Sequence, residues 1–378
     1  MSVPSFDVII AGAGIVGAAC AAECALAGMK IAVLESETVG SGATAAGMGH
    51  IVVMDDSEAQ FALGRYSQKL WQGLAERLPA SCEYLDCGTL WVASDEAEME
   101  EARRKGRYYD QRQVETEILD PHAVAQAEPA LCPGLAGALR IPGDSVLYPP
   151  CAARFLIDQA QQRGAQLRLG KPVTELTGSQ ARLSDGTSLS AGCTVNAAGS
   201  GALQITPQLR DWVRPRKGHL AITDRYPGLI RHQLVELGYL KSAHAWEADS
   251  VAFNLQPRPN GQLLIGSSRQ FGAPDLCVEA PLLGRMLRRA CRYVPRLSDL
   301  SVIRAWTGWR AATRDHLPLI GPCPGVDGLY LATGHEGLGI TASLGTARLL
   351  ADQILGRRSE IPSQPYLPSR MLQEEVLE

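Results

Sequence analysis

Short runs of apolar, β-branched residues alternate with longer segments of helical periodicity along this chain, and that alternation predicts an α/β protein. Phe6 to Ala11, interrupted only by Asp7, reads as a strand buried on both faces. The alanine-rich stretch Ala18 to Ala27 reads as a helix that stops at Gly28, a residue suited to the left-handed turn after a helix. Ile31 to Leu34 is a second buried strand and ends at Glu35. Leu329 to Ala332 reads as another strand, followed by a helix with an apolar stripe from Ala342 to Leu355. Arg182 to Leu189 has the pattern of a hairpin around Asp185-Gly186. Val251 to Gln256 and Gln262 to Gly266 read as antiparallel strands joined by a Pro/Asn/Gly turn. Residues 94 to 128 are charge-rich and helical, with Glu98 to Arg107 read as a solvated face.

Composition narrows the class without changing that picture. The chain has 378 residues, 46% apolar and 20% charged, which is ordinary globular composition. A formal net charge of -4 gives no electrostatic reason to expect nucleic acid or an anionic membrane as partner. No apolar stretch approaches the roughly 20 residues of a membrane span. Met1-Ser2-Val3-Pro4-Ser5 has no basic segment ahead of an apolar core, so it is not read as a signal peptide. The ten cysteines form no metal-type Cys-x-x-Cys pairs and read as buried, reduced thiols, with no metal site expected. Together these features predict a cytoplasmic protein. The acidic tail from Ser369 to Glu378 is expected to be loosely held.

The candidate chemistry begins between the first two strands. Gly12-Ala13-Gly14-Ile15-Val16-Gly17 opens the first helix. Gly12 permits the tight turn, Gly14 lets the backbone approach a pyrophosphate, and Gly17 lets the helix pack closely on the strand. The helix N-terminus offers unpaired N–H groups to the phosphates. Glu35, 18 residues after Gly17, is placed to accept hydrogen bonds from ribose hydroxyls and disfavours a 2′-phosphate. Strand, glycine turn, helix, strand and terminal acid together define a dinucleotide site of Rossmann type. By itself the motif does not separate FAD from NAD.

Two glycine-rich segments favour the flavin. Gly40-Ser41-Gly42-Ala43-Thr44-Ala45-Ala46-Gly47-Met48-Gly49 follows closely on Glu35 and Ser36, and its small side chains suit a chain running beside a pyrophosphate and under a flavin ring. Near the other end, Gly334-His335-Glu336-Gly337-Leu338-Gly339-Ile340-Thr341 lies between a strand and a helix. That helix N-terminus suits the negative charge a flavin gains at its pyrimidine end on reduction.

With these motifs in place, the chain resembles the D-amino acid oxidase and glycine oxidase (DAO) family of flavoproteins over essentially its whole length. Thr194-Val195-Asn196-Ala197-Ala198-Gly199 is similar to the family's internal strand and glycine turn beside FAD, and Val173 matches a position that contacts the adenine through its backbone. Within the family, Ala46-Gly47-Met48-Gly49-His50 and the Gly334 to Gly339 run look like the flavin subunits of bacterial dehydrogenases, with D-hydroxyproline dehydrogenase the nearest likeness. The resemblance implies a Rossmann-like FAD-binding domain of the GR2/DAO type, formed by residues 1–85, 145–210 and 315–378. It implies an antiparallel-sheet α+β substrate domain formed by 86–144 and 211–314. It also implies FAD bound without a covalent link, since residues 304–322 lack the cysteine that sarcosine-oxidase relatives use there.

Arg310 matches the family arginine that clamps the substrate carboxylate, a task suited to a guanidinium fork. His50, His335 and Glu336 flank the flavin-facing loops. They are expected to polarise the ring, assist amine deprotonation, support neighbouring groups or line a channel to an electron acceptor. Where glycine oxidases carry a second arginine in the final loop, this chain has Glu336 and Gly337, and a family tyrosine aligns best with Asn254. The basic cluster Arg214-Pro215-Arg216-Lys217-Gly218-His219 is expected at the domain junction and largely solvated. The implied activity is oxidation of the Cα–N bond of a D-amino or D-imino acid, with cis-4-hydroxy-D-proline as the leading substrate. The oxidant is left open among dioxygen, a quinone and a partner redox subunit in a hetero-oligomer. Alternatives are a glycine- or opine-oxidizing flavin subunit, a NAD-dependent dehydrogenase, and a non-catalytic flavin-binding subunit.

Overall fold

The computed structural model describes residues 5–238 and 249–374, so the last residues of the acidic tail lie outside it. Among the described residues, two eight-stranded sheets carry most of the strands, and His50–Ile51 pairs with Ser145–Val146 in a small third one. The main path of the first runs Leu319–Pro322, Leu329–Thr333, Ser188–Asn196, Phe6–Ala11, Ile31–Glu35 and Gln166–Leu169. Four of its five pairings are parallel, all but that of Leu319–Pro322 with Leu329–Thr333, and its interior strands are apolar on both sides as parallel pairing requires. Helix Ile15–Leu26 lies on one face, between helices Pro149–Gln161 and Gly339–Ile354. Its alanines and cysteines permit that close packing, and Gly28, at φ +84°, follows its end.

The second sheet runs Val302–Thr313, Val213–Thr223, Leu263–Phe271, Ser250–Pro257, Gln233–Glu236, Thr89–Ala93, Gly137–Ile141 and Glu117–Leu119. Its pairings are antiparallel except that Gln233–Glu236 runs parallel to Thr89–Ala93. Strand Glu117–Leu119 falls inside the segment read as helical. Its three residues carry too little pattern to register alone, and pairing with Gly137–Ile141 makes them a strand.

Two charge-rich segments depart from the sequence reading. Helix Glu96–Asp110, capped by Asp95, exposes most of its charges but buries Lys105 completely. The Lys105 ammonium is ion-paired with buried Asp55 and lies 4.7 Å from the centre of the Trp91 ring and 5.0 Å from that of Tyr109. Helical periodicity carries this one position of the charged run inward, where a carboxylate and two aromatic faces replace water. In the basic cluster Arg216, Lys217 and His219 are likewise buried, because strand Val213–Thr223 is interior to its sheet. The cysteines are mixed: Cys20, Cys24, Cys82, Cys193 and Cys323 are buried and Cys277 is exposed, all of them unpaired. Among the described residues no helix is long and apolar enough to cross a membrane.

Lys105→Ala leaves the Asp55 carboxylate buried without its main counter-charge. We expect a destabilisation of about 3–5 kcal/mol, read as a fall in the denaturant midpoint of the FAD-loaded protein. A midpoint within error of the parent would refute a structural role for the pair.

Candidate active site

A cavity of about 500 Å3 opens between the two sheets, and its lining begins at the nucleotide motif. Gly12 takes φ +106°, and a Cβ there would lie 2.6 Å from the Ala197 carbonyl oxygen. A Cβ on Gly17 would lie 2.1 Å from the Gly12 carbonyl oxygen, so Gly17 is a packing residue outside the cavity lining. Gly14, Ile15 and Val16 face the cavity. The first-turn amides are not all available, however, because Ile15 N donates to Thr44 Oγ1 at 2.9 Å. Thr44 thus caps the helix from the next loop, while Gly14, Val16 and Gly17 keep amides for which an α-helix provides no acceptor.

Glu35 is buried at the far end of its strand. Its carboxylate accepts from Ala13 N at 2.7 Å and from Glu37 N at 2.9 Å. The Ser36 hydroxyl also donates to it, at 3.2 Å, so of about four lone-pair sites one remains for a ribose hydroxyl. Ser36, Ser41, Ala43, Val173, Ala198 and Gly199 line the same end, and Ala197 joins them.

The opposite end is built where a loop meets the second sheet. Gly218 and Gly308 stand opposite each other on neighbouring strands. A Cβ on Gly308 would lie 2.3 Å from the Ala46 Cβ, and one on Gly47 would lie 2.8 Å from Ile340 Cδ1. Missing side chains therefore form the notch that lets residues 46–48 run between the sheet and helix Gly339–Ile354. Gly334, His335, Gly337, Gly339 and Ile340 complete the lining together with Met48. Leu338 and Thr341 do not belong to it. Leu338 faces smaller adjoining pockets, and the Thr341 hydroxyl donates to His50 O at 2.8 Å, tying the helix to the His50–Ile51 strand.

Arg310 lies on the long edge strand Val302–Thr313 and lines both the large cavity and an adjoining pocket of about 90 Å3. Its Nη1 donates to Ser268 O at 3.1 Å. Gly218 makes room for the fork, since a Cβ there would stand 2.2 Å from Nη1. Gly218, Leu220, Asn254 and Ser267 also line the cavity, and no local sequence motif marks them as cofactor-side residues. The facing glycines were the available signal, and only the strand register reveals it.

The flanking groups divide by charge. Burial lowers the His335 imidazole to about 4, and its Nε2 shares a 2.9 Å hydrogen bond with Thr346 Oγ1. Burial also lowers His50 to about 4, helped by the positive charge of Arg310. Both rings are neutral near pH 7. Glu336 is the opposite case. Burial pushes its carboxyl up, but the hydrogen bond with His316 and the charges of Arg216, Arg269 and His316 outweigh this and hold it at about 2. Arg216 Nη1 donates to one carboxylate oxygen, and His316 Nδ1 lies 3.0 Å from the other. Glu336 and His316 both have positive φ, +49° and +60°, a backbone strain that this ion cluster offsets. Glu336 N donates to Ala311 O at 2.8 Å, linking the final loop to the strand that carries Arg310.

The lining fits FAD. A glycine cradle, helix-terminal amides, a buried acid and a wide end between two sheets suit phosphates, ribose and a flat ring respectively. These features define an α/β dinucleotide-dependent enzyme with a separate reaction chamber. The model of the DAO family, described as FAD dependent oxidoreductase, matches residues 7–353, and the chain belongs to that family. It is 29% identical to the glycine oxidase of Pseudomonas aeruginosa, over 97% of this chain and 99% of that protein. It is 26% identical to the hydrogen cyanide synthase subunit HcnC of the same species, over 98% of this chain and 97% of that protein. The crystal structure of glycine oxidase from Geobacillus kaustophilus superposes with a TM-score of 0.86, at 26% identity, covering 97% of this chain and 98% of that one.

Glu336 has a folded-state value below its unfolded one. Its contribution to stability is therefore present above the unfolded carboxyl range and lost as pH falls towards about 2. We expect Glu336→Gln to lower the melting temperature at pH 7, and the gap from the parent to narrow between about pH 4.5 and pH 2. A gap independent of pH would remove the charged cluster as its cause.

Proposed function

We propose that this FAD-dependent oxidoreductase oxidises the Cα–N bond of a small D-amino or D-imino acid, with cis-4-hydroxy-D-proline as the leading substrate and Δ1-pyrroline-4-hydroxy-2-carboxylate as product. The observation that carries this reading is the position of Arg310 at the junction of the large cavity and the small pocket. Residues 5–85, 145–210 and 315–374 would hold the cofactor, and 86–144, 211–238 and 249–314 would shape the substrate side. Bound FAD supplies the hydride acceptor, at flavin N5.

Arg310 pairs with the substrate carboxylate through two N–H donors, which fixes the Cα hydrogen towards the ring. Neutral His50 and His335 bring no charge that would compete with the amine. The amine must itself be neutral for its lone pair to assist hydride departure, and no general base is then required. Either histidine or Glu336 supports the site by position.

The similarity to glycine oxidases favours a second reading, glycine oxidation. The pocket beside Arg310 weighs against it, because glycine has no side chain to place there. The likeness to HcnC, itself a synthase subunit, supports assembly with partner subunits, and the electron acceptor stays open among dioxygen, a quinone and a partner redox protein.

Anaerobic mixing tests the reading directly. cis-4-Hydroxy-D-proline is expected to bleach the flavin, its L-counterpart is not, and D-proline, glycine and an opine serve as parallels. Arg310→Met should lower the second-order rate of reduction about 100-fold or more while the protein stays yellow. Retained activity in that variant would dismiss the carboxylate clamp. The reductive rate should rise with pH as the bound amine loses its proton. Because both histidines titrate near 4, no further inflection belongs to them above about pH 5.

A further inference from the structure

The pocket beside Arg310 holds polar atoms that the mechanism does not use. Gln233, on strand Gln233–Glu236, is 3% exposed, and its Oε1 is buried with no hydrogen-bond donor. Gln60, on helix Glu58–Leu74, presents a second buried Oε1 in the same condition. Both residues line this pocket, and Arg269 lines it with them from strand Leu263–Phe271. A buried carbonyl oxygen without a donor loses on the order of 1–3 kcal/mol relative to one that is paired. With Asn254 Oδ1, buried in the same condition, three in one small pocket mark a place that a ligand or water is meant to fill.

The chemistry of the lining selects the group. A second carboxylate would pair with Arg269 but would set its lone pairs against both glutamine oxygens and the carboxylate of Asp56. A cation would satisfy the oxygens but meet the Arg269 guanidinium. An aliphatic side chain would leave every polar atom unserved. A hydroxyl is neutral, donates once and accepts twice, so it can answer both kinds of neighbour.

We propose that Gln60, Gln233 and Arg269 form a hydroxyl-recognition subsite, and that the enzyme selects amino or imino acids whose side chain carries a hydroxyl over their deoxy analogues. This rests on the amine-oxidation reading above and names the substrate class within it. The hydroxyl donates to a glutamine oxygen and accepts from the arginine, while the carboxylate stays on Arg310. Discrimination arises because the hydroxyl brings the one donor that a buried glutamine oxygen lacks, and the deoxy analogue leaves that oxygen unpaired or served by trapped water.

The test compares kcat/KM for cis-4-hydroxy-D-proline with D-proline, and for D-serine with D-alanine, on the FAD-loaded enzyme. Iminodiacetate serves as the two-carboxylate probe. We expect the hydroxylated member of a pair to be favoured about 10- to 100-fold. Gln233→Leu and Gln60→Leu should each move that ratio towards one. They sit on different elements, so a variant that fails to fold leaves the other to decide, and the parent ratio stands without either. Equal rates within the pairs, a ratio unmoved by both variants, or iminodiacetate outpacing the hydroxylated substrates would overturn the subsite while leaving amine oxidation in place. Failure of every amine to reduce the flavin would overturn both.

Discussion

Three backbone segments touch where the first helix leaves its sheet, and the site is arranged around that contact. The Gly12 carbonyl occupies the space of a side chain on Gly17, and the Ala197 carbonyl occupies that of one on Gly12. Only glycine permits both approaches. The seating of helix Ile15–Leu26 fixes which amides face the cavity. It also fixes helices Pro149–Gln161 and Gly339–Ile354, which pack against it. The second of these sets the final loop, and Glu336 N then joins that loop to the strand bearing Arg310. Backbone geometry at residue 12 is thus connected, contact by contact, to the chamber some three hundred residues later.

The second sheet works by a different rule. It buries charge rather than avoiding it, with Arg216, Lys217, Glu236 and Arg269 all inside. Arg216 meets Glu336 and lies 4.6 Å from the Phe271 ring centre, and Lys217 meets Glu279 at 2.9 Å. Such pairs add little net stability over apolar replacements, but removing one partner is costly. Their value here is positional: they hold strained loop residues and strands in one register around a cavity that contains both polar and apolar surface.

The nucleotide half was legible because its constraints are local. A glycine turn, a helix and an acid at fixed spacing state their own geometry, and Gly12, Gly14 and Glu35 fall where that spacing puts them. Legibility fails where partners are distant in sequence. The motif implies a helix N-terminus whose amides are all open to phosphate, yet Thr44 takes that of Ile15. Lys105 and Arg216 sit in charged runs whose local pattern is that of a wet surface, and only tertiary pairing with Asp55 and Glu336 explains their burial. Leu338 and Thr341 belong to the expected loop, but helix geometry turns them away from the cavity. Gln60 and Gln233 carried no signal at all, since a glutamine in an amphipathic helix and another at a strand start are unremarkable until they share a pocket.

The cavity wall draws on residues from Ala11 to Ile340, so a cofactor held there would bridge chain segments about three hundred residues apart. It therefore works as a reversible staple across almost the whole polypeptide. Because the cofactor binds the folded chain and not the unfolded one, it stabilises the fold by an amount that grows with free flavin relative to its dissociation constant. Flavin supply and chain survival then become one equilibrium. A cell short of flavin would hold less of this protein as well as less of its activity, because the unliganded chain spends more time open to proteases.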